Sequence, residues 1–317
     1  MHIIEGDPNC DSVSIEGMLN EYVGYLRKYR ALADSSVGHH RYYTRYLLEY
    51  FGRGKRICLS EILKVKDIQA FAAEYARGHG RGSSHGMFST LRVFLRYLHI
   101  KGHADCDLSE AVPTLHRRQL SHVPRGISEK DAKQLIESID RSDDIGKRDY
   151  AIIQILNTYG VRGVHIRKLR LEDVHWKENR IVFMPAKGGK RIIQHLTPAV
   201  GNSLLDYLQH ARQQYPPHQE VFLTCMGTPK PLRLSGNISC MIIRRLKYAG
   251  IKLPDGVSQG SHSFRHAFAT RMVCGQQPFK YVADMLGHKI INSTMIYTKI
   301  DLPSMRQAVL EWPEVSS

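Results

Sequence analysis

Residues 260–275 read GSHSFRHAFATRMVCG, and residues 286–300 read LGHKIINSTMIYTKI. The first stretch gathers His262, Arg265 and His266; the second brings His288 and then Tyr297. His262 and Arg265 are three apart and project from one helical face. A histidine gives or takes a proton near neutral pH. A planar guanidinium binds two phosphate oxygens at once. A crowded helix surface accounts for this cluster, and so does a site that holds a phosphate while a tyrosine attacks it. His262 and His266 also share the HxxxH spacing of zinc sites. Ser263 stands where HExxH carries its glutamate, so no metal is expected. His266 is then expected to support the site or to pack.

Attack on a phosphodiester builds negative charge on its non-bridging oxygens, and fixed cations stabilise that charge. Arg162 follows a tight turn in TYGVRGVHIRKLRLEDV. Arg162 and Arg265 both lie in apolar-rich segments, where an unpaired charge is costly. Lys187 lies in the turn PAKGGK, from which a lysine can reach a bound polyanion; Lys190 is its rival. A free phenol ionises near pH ~10, so Tyr297 would need neighbouring cations and a proton acceptor to attack. No Walker-type loop is present, and no cofactor is expected.

The elements that position these residues follow from periodicity. Ile15, Met18, Leu19, Tyr22, Val23 and Leu26 form one stripe of an amphipathic helix. Further helices are expected over 35–51, from an Asp67 cap to Gly78, and from Ser83 or Ser84 to Gly102. VPTLHRRQLSHVPRGI, residues 112–127, has two prolines, two adjacent arginines and no period, so it reads as an extended basic linker. Ser128 with Asp131 opens a new domain as a capping box. A helix is expected to stop at Gly160, and RIVFMPAKGGKRIIQHLTP reads as a β-hairpin. Thr197-Pro198 starts another helix. More are expected over 237–250, 262–275 and 278–287, with a short one after Pro303.

The chain has 317 residues, 42% of them hydrophobic, which suits two domains with cores of their own. No apolar run reaches the ~18 residues of a membrane span, and MHIIEGDPNC does not read as a secretory signal. Cys10, Cys58, Cys106, Cys225, Cys240 and Cys274 form no CxxC pair, which suits reduced thiols in the cytoplasm. The 45 basic residues against 30 acidic give a net charge of +15, shared as +5 over residues 1–125 and +10 over the rest. Two folded bodies gripping one long polyanion fit that distribution better than a globule with a basic arm.

TYGVRGVHIRKLRLEDV, AKGGKRIIQHLTP, HSFRHAFATRM and LGHKIINSTMIYTKI together resemble the ordered motifs of the tyrosine recombinases, the phage-integrase family. The resemblance spans roughly 126–300. It implies a mainly α protein with a small β-sheet in two domains: a helical, SAM-like core-binding domain over 1–111, the linker 112–127, and an α+β catalytic domain with a C-terminal tail over 128–317. It implies that Arg162 and Arg265 clamp the scissile phosphate and that Lys187 is the general acid. In the same reading His262 and His288 assist, and Tyr297 forms a 3′-phosphotyrosine link. The partner would be double-stranded DNA, held in a C-shaped clamp, with four protomers on two sites. The alternatives are a type IB topoisomerase-like enzyme and a DNA-binding regulator without catalysis. Arg41, Arg45, Arg92, Arg96, Arg117, Arg118, Arg244 and Arg245 are candidates for DNA contact, although solvated helix faces explain them equally. Met305, Val309, Leu310 and Trp312 suggest that the tail docks on a neighbour or on its own domain. One position departs from the family. His165 stands where an acid often follows the first arginine, so the support of Arg162 must be different.

Overall fold

The computed structural model describes residues 12–52, 56–59, 64–115, 125–185, 190–212, 218–232, 236–287 and 297. Two compact units divide the chain, Met1–Arg117 and Arg118–Ser317.

In the first unit, helix α1 (Ile15–Arg30) buries the six apolar residues of its stripe. The Ser14 hydroxyl caps it by accepting from the Gly17 backbone N–H. Helices α2 (Asp34–Phe51), α3 (Val65–Gly78) and α4 (Arg81–Ile100) complete the core. At its centre the Tyr22 ring lies 5.0 Å from both Phe94 and Tyr97. Two helix starts differ from expectation. Helix α3 begins at Val65, so Asp67 lies inside its first turn, where a negative charge favours the positive helix end. Helix α4 begins at Arg81. Ser83 pairs with the Tyr75 hydroxyl at 2.9 Å, and Ser84 donates back to the Gly80 carbonyl at 3.2 Å, so neither serine is a cap. An unanticipated antiparallel pair, β1 (Ser12–Ser14) with β2 (Arg56–Cys58), joins the start of α1 to the segment between α2 and α3.

The two ends of the expected linker, 112–127, pack on different cores. Val112 is buried in the first unit and Ile127 in the second. Arg117 and Arg118 lie outside the described residues, as does the tail after Pro303.

The second unit opens with α5 (Glu129–Glu137), where the Ser128 hydroxyl accepts from the Asp131 N–H at 3.0 Å as an N-cap, while the Asp131 carboxylate accepts from that hydroxyl at 2.7 Å rather than from the Ser128 N–H of a full capping box. Helix α6 (Asp144–Tyr159) is its axis. The run Ala151, Ile152, Ile153, Ile155 and Leu156 is buried on every side, packed by α8 (Pro198–His210) and α10 (Ser261–Cys274). Helix α6 stops at Gly160, in the left-handed region at φ 59°, and the short α7 (Gly163–Lys168) follows. The expected hairpin is β4 (Arg180–Phe183) with β5 (Ile192–His195), in register Phe183 to Ile192. A third strand, β3 (Val174–His175), extends it to an antiparallel sheet of order β3-β4-β5. Tyr159 fastens this sheet to the end of α6. Its hydroxyl donates to the His195 carbonyl at 2.7 Å and accepts from the Thr197 N–H at 3.2 Å. Helices α9 (Gly236–Tyr248) and α11 (Phe279–Leu286) complete the unit. The class is mainly helical with small sheets, as expected.

Candidate active site

The turn after α6 presents the first arginine. Only a residue without a side chain fits at Gly160, because a Cβ there would lie 2.7 Å from the Phe268 Cβ of α10. Val161 is buried, and Arg162 follows as the N-cap residue of α7. Its backbone carbonyl accepts from His165 N–H at 2.8 Å.

Arg265, on α10, is 3% exposed. One guanidinium nitrogen donates to the Gly160 carbonyl at 3.1 Å and another to the Leu286 carbonyl at 2.7 Å. Both acceptors sit at helix C-termini, where the backbone carries partial negative charge, so a buried cation is tolerated there. The same two bonds tie the Arg162 turn and the end of α11 to α10. Burial and the nearby Arg162 charge pull the Arg265 pKa down to about 9, against an opposing pull from Tyr297. Arg265 therefore stays cationic at neutral pH. Burial lowers Arg162 too, against an opposing pull from Tyr297. Among the described residues neither arginine has a carboxylate partner.

Tyr297 is 2% exposed and packs with Phe268, Val282 and Leu286. Its hydroxyl lies 2.5 Å from Nδ1 of His266. Burial raises its pKa to about 12, while the Arg265 and Arg162 charges hold it back. His262 lies one turn before His266, with ring centroids 6.3 Å apart. Burial, Arg265 and Arg162 all lower its pKa. Burial first, then His262 and Arg265, push His266 down to about 4, so its imidazole is neutral at pH 7.

His165 is buried beneath this site, its ring centroid 6.3 Å from that of Phe183. Burial, with Arg162, Arg265 and Lys168, lowers its pKa to about 4. Its Nδ1 has no hydrogen-bond partner among the described residues. A neutral imidazole thus replaces the acid of the family pattern and leaves the charge of Arg162 uncompensated.

The structure therefore brings Arg162, His262, Arg265 and Tyr297 together and adds His266 on the tyrosine itself. Lys187 and His288 lie outside the described residues, and Lys190 is exposed at the foot of β5. The candidate DNA-contact arginines divide into three kinds. Arg41 and Arg45 both pair with Glu16 on the exposed face of α1 and α2. Arg92 donates to the Val112 and Pro113 carbonyls, at 3.1 and 2.7 Å, and Arg96 pairs with Asp107 and Glu110. Arg245 turns inward instead. Its Nε lies 2.9 Å from the fully buried carboxylate of Asp149, with Arg148 at 2.8 Å and Arg244 at 3.9 Å.

A helical domain is thus followed by an α+β domain in which two arginines lie near a buried tyrosine, the combination that the sequence resemblance implies. The phage integrase family model matches residues 125–302, and the model of the phage integrase N-terminal SAM-like domain matches residues 19–102. A putative integrase/recombinase, y4rA of Sinorhizobium fredii, is 32% identical over 98% of this chain and 74% of its own length. Tyrosine recombinase XerD of Lacticaseibacillus casei is 26% identical over 90% of this chain and 94% of its own. In fold the chain is similar to XerH recombinase bound to a difH substrate, with a TM-score of 0.68 at 18% identity, covering 93% of this chain and 84% of that one. It is similar also to a lambda integrase dimer on a core site, with a TM-score of 0.67 at 15% identity, covering 96% and 100%. The chain belongs to the phage integrase family. It is a tyrosine recombinase, a DNA-cleaving and rejoining enzyme, and family membership favours this over the topoisomerase-like and regulatory alternatives.

Among the described residues no helix is long and apolar enough to cross a membrane.

Proposed function

We propose that Tyr297 attacks the scissile phosphate of a double-stranded DNA site held between Arg162 and Arg265. The observation that carries this reading is the buried tyrosine beside two cations that, among the described residues, have no acid to neutralise them. A phosphodiester supplies the missing negative charge, and its attack adds more where the guanidinium groups stand. His262 and His288 donate to the phosphate oxygens, and Lys187, rather than Lys190, protonates the leaving 5′ oxygen. The 3′-phosphotyrosine link conserves the bond energy, so a second strand's 5′-hydroxyl can reverse it without a nucleotide cofactor. Four protomers exchange strands between two sites in the cytoplasm. The reading is supported by relatives named as recombinases and by similar structures described as bound to their DNA substrates.

The test uses a nicked DNA carrying the site, which traps the cleaved product. Denaturing gels are expected to show a covalent protein–DNA band with the wild type. Tyr297→Phe should lose the band and keep DNA binding. An adduct that survives the substitution overturns the assignment.

A further inference from the structure

A tyrosine nucleophile needs an acceptor for its proton, and no step above supplies one. Among the described residues only His266 touches the Tyr297 hydroxyl. Resting on the reading of Tyr297 as nucleophile, we infer that His266 is the general base of cleavage, accepting the phenolic proton at Nδ1 and returning it on rejoining.

Three features support the assignment. The first is distance: 2.5 Å between Oη and Nδ1 is a short hydrogen bond, so the proton already lies on its transfer path. The second is position. His266 follows Arg265 on α10, and Arg265 is fixed by two main-chain carbonyls, so the backbone that carries the base also carries the clamp. The third is protonation. At neutral pH the imidazole is uncharged and has a lone pair to offer. Other charges around the pair come from Arg265 and His262 on α10 and from Arg162 at the start of α7.

The Tyr297 O–H bond breaks and its proton passes to Nδ1 of His266. The freed oxygen forms a bond to phosphorus, the bond from phosphorus to the 5′ oxygen breaks, and that oxygen takes a proton from the general acid. In rejoining, the 5′-hydroxyl attacks phosphorus and returns its proton to the general acid, the bond from phosphorus to the tyrosine oxygen breaks, and that oxygen takes its proton back from His266. The transfer is steeply uphill in the free protein, because burial and the Arg265 field oppose an imidazolium and burial also opposes a phenolate. The nucleophile therefore stays protonated until DNA arrives. A phosphate between the arginines cancels part of that field, and the base becomes competent where the substrate sits.

The experiment is single-turnover cleavage of the nicked substrate between about pH 5 and pH 9, with the wild type and His266→Gln. Glutamine can hold the hydroxyl in a hydrogen bond but cannot take its proton. The wild-type rate is expected to be flat at neutral and basic pH and to fall only on the acid side, as the imidazole protonates. His266→Gln is expected to bind DNA normally, to cleave roughly 100-fold or more slowly at neutral pH, and to lose the plateau. Its rate should rise about tenfold per pH unit, because the phenol must then ionise unaided. A variant that cleaves at the wild-type rate overturns the inference, and so does a slow variant with an unshifted profile. If the variant does not fold, the wild type alone decides: a rate that climbs with pH and shows no plateau overturns it. An adduct that persists in Tyr297→Phe sinks the nucleophile assignment instead, whatever His266 does.

Discussion

Two groups of arginines sit at opposite ends of helix α6 and are built in opposite ways. At its start, Arg148 and Arg245 converge on Asp149, a carboxylate with no solvent exposure, and Arg244 lies at the edge. Just past its end, Arg162 and Arg265 stand together with no carboxylate between them among the described residues. The first group is closed: Asp149 offsets the charge, and its oxygens accept the hydrogen bonds. The second is open: two helix-end carbonyls accept from Arg265, and among the described residues no carboxylate pairs with either arginine. Burying cations without an acid is costly. A fold that does so keeps a place for an anion that arrives from outside.

The closed group should fail through stability. Asp149→Ala leaves Arg148 buried and unpaired, and should cost about 3–5 kcal/mol of folding free energy. Chemical denaturation would measure it, and the surviving folded fraction should still cleave DNA. The open group should fail through chemistry. Arg162→Ala should slow single-turnover cleavage by about 10²–10³-fold, as loss of one fixed oxyanion donor does elsewhere. Its melting temperature should hold or rise, since an uncompensated charge is removed. If Arg162→Ala unfolds the protein and Asp149→Ala only slows cleavage, the comparison is reversed.

The histidine under the open group gives a pH signature. His165 has its folded pKa lowered to about 4 from the ordinary 6.5. Between those values the unfolded chain binds the extra proton, so stability is fully present above the unfolded value and is lost as pH falls towards the folded one. The loss should reach roughly 3 kcal/mol at most. Melting curves from neutral to acid pH should show it, and His165→Phe should reduce the slope, leaving the part that His266 and His262 carry through their own lowered pKa. The smallest effect belongs to the surface. Glu16→Ala releases Arg41 and Arg45 from exposed ion pairs and should change stability by less than about 1 kcal/mol.

Much of this was legible in the chain itself, and the parts that were not have physical reasons. Apolar spacing located α1, and Gly160 and Ser128 marked a real stop and a real cap, because these are local effects. Asp67, Ser83 and Ser84 misplaced two helix starts, since a polar side chain near a helix end can bond elsewhere, as Ser83 does to Tyr75. The ordered motifs named the arginines, His262 and Tyr297. They could not distinguish Arg245 as structural, because its acid lies 96 residues earlier. Nor could they show that His266 meets the tyrosine. That contact spans 31 residues, beyond the reach of any local pattern. The adjacency of His266 to Arg265 was the only sequence signal for it.

The central claim is that the open arginine pair presents a DNA phosphate to one particular tyrosine. The most direct measurement is to trap the covalent complex on a nicked site, digest it, and locate the nucleotide-bearing residue by mass spectrometry. The account predicts a phosphotyrosine link at Tyr297 and at none of the other fifteen tyrosines. A link at any other residue would contradict it.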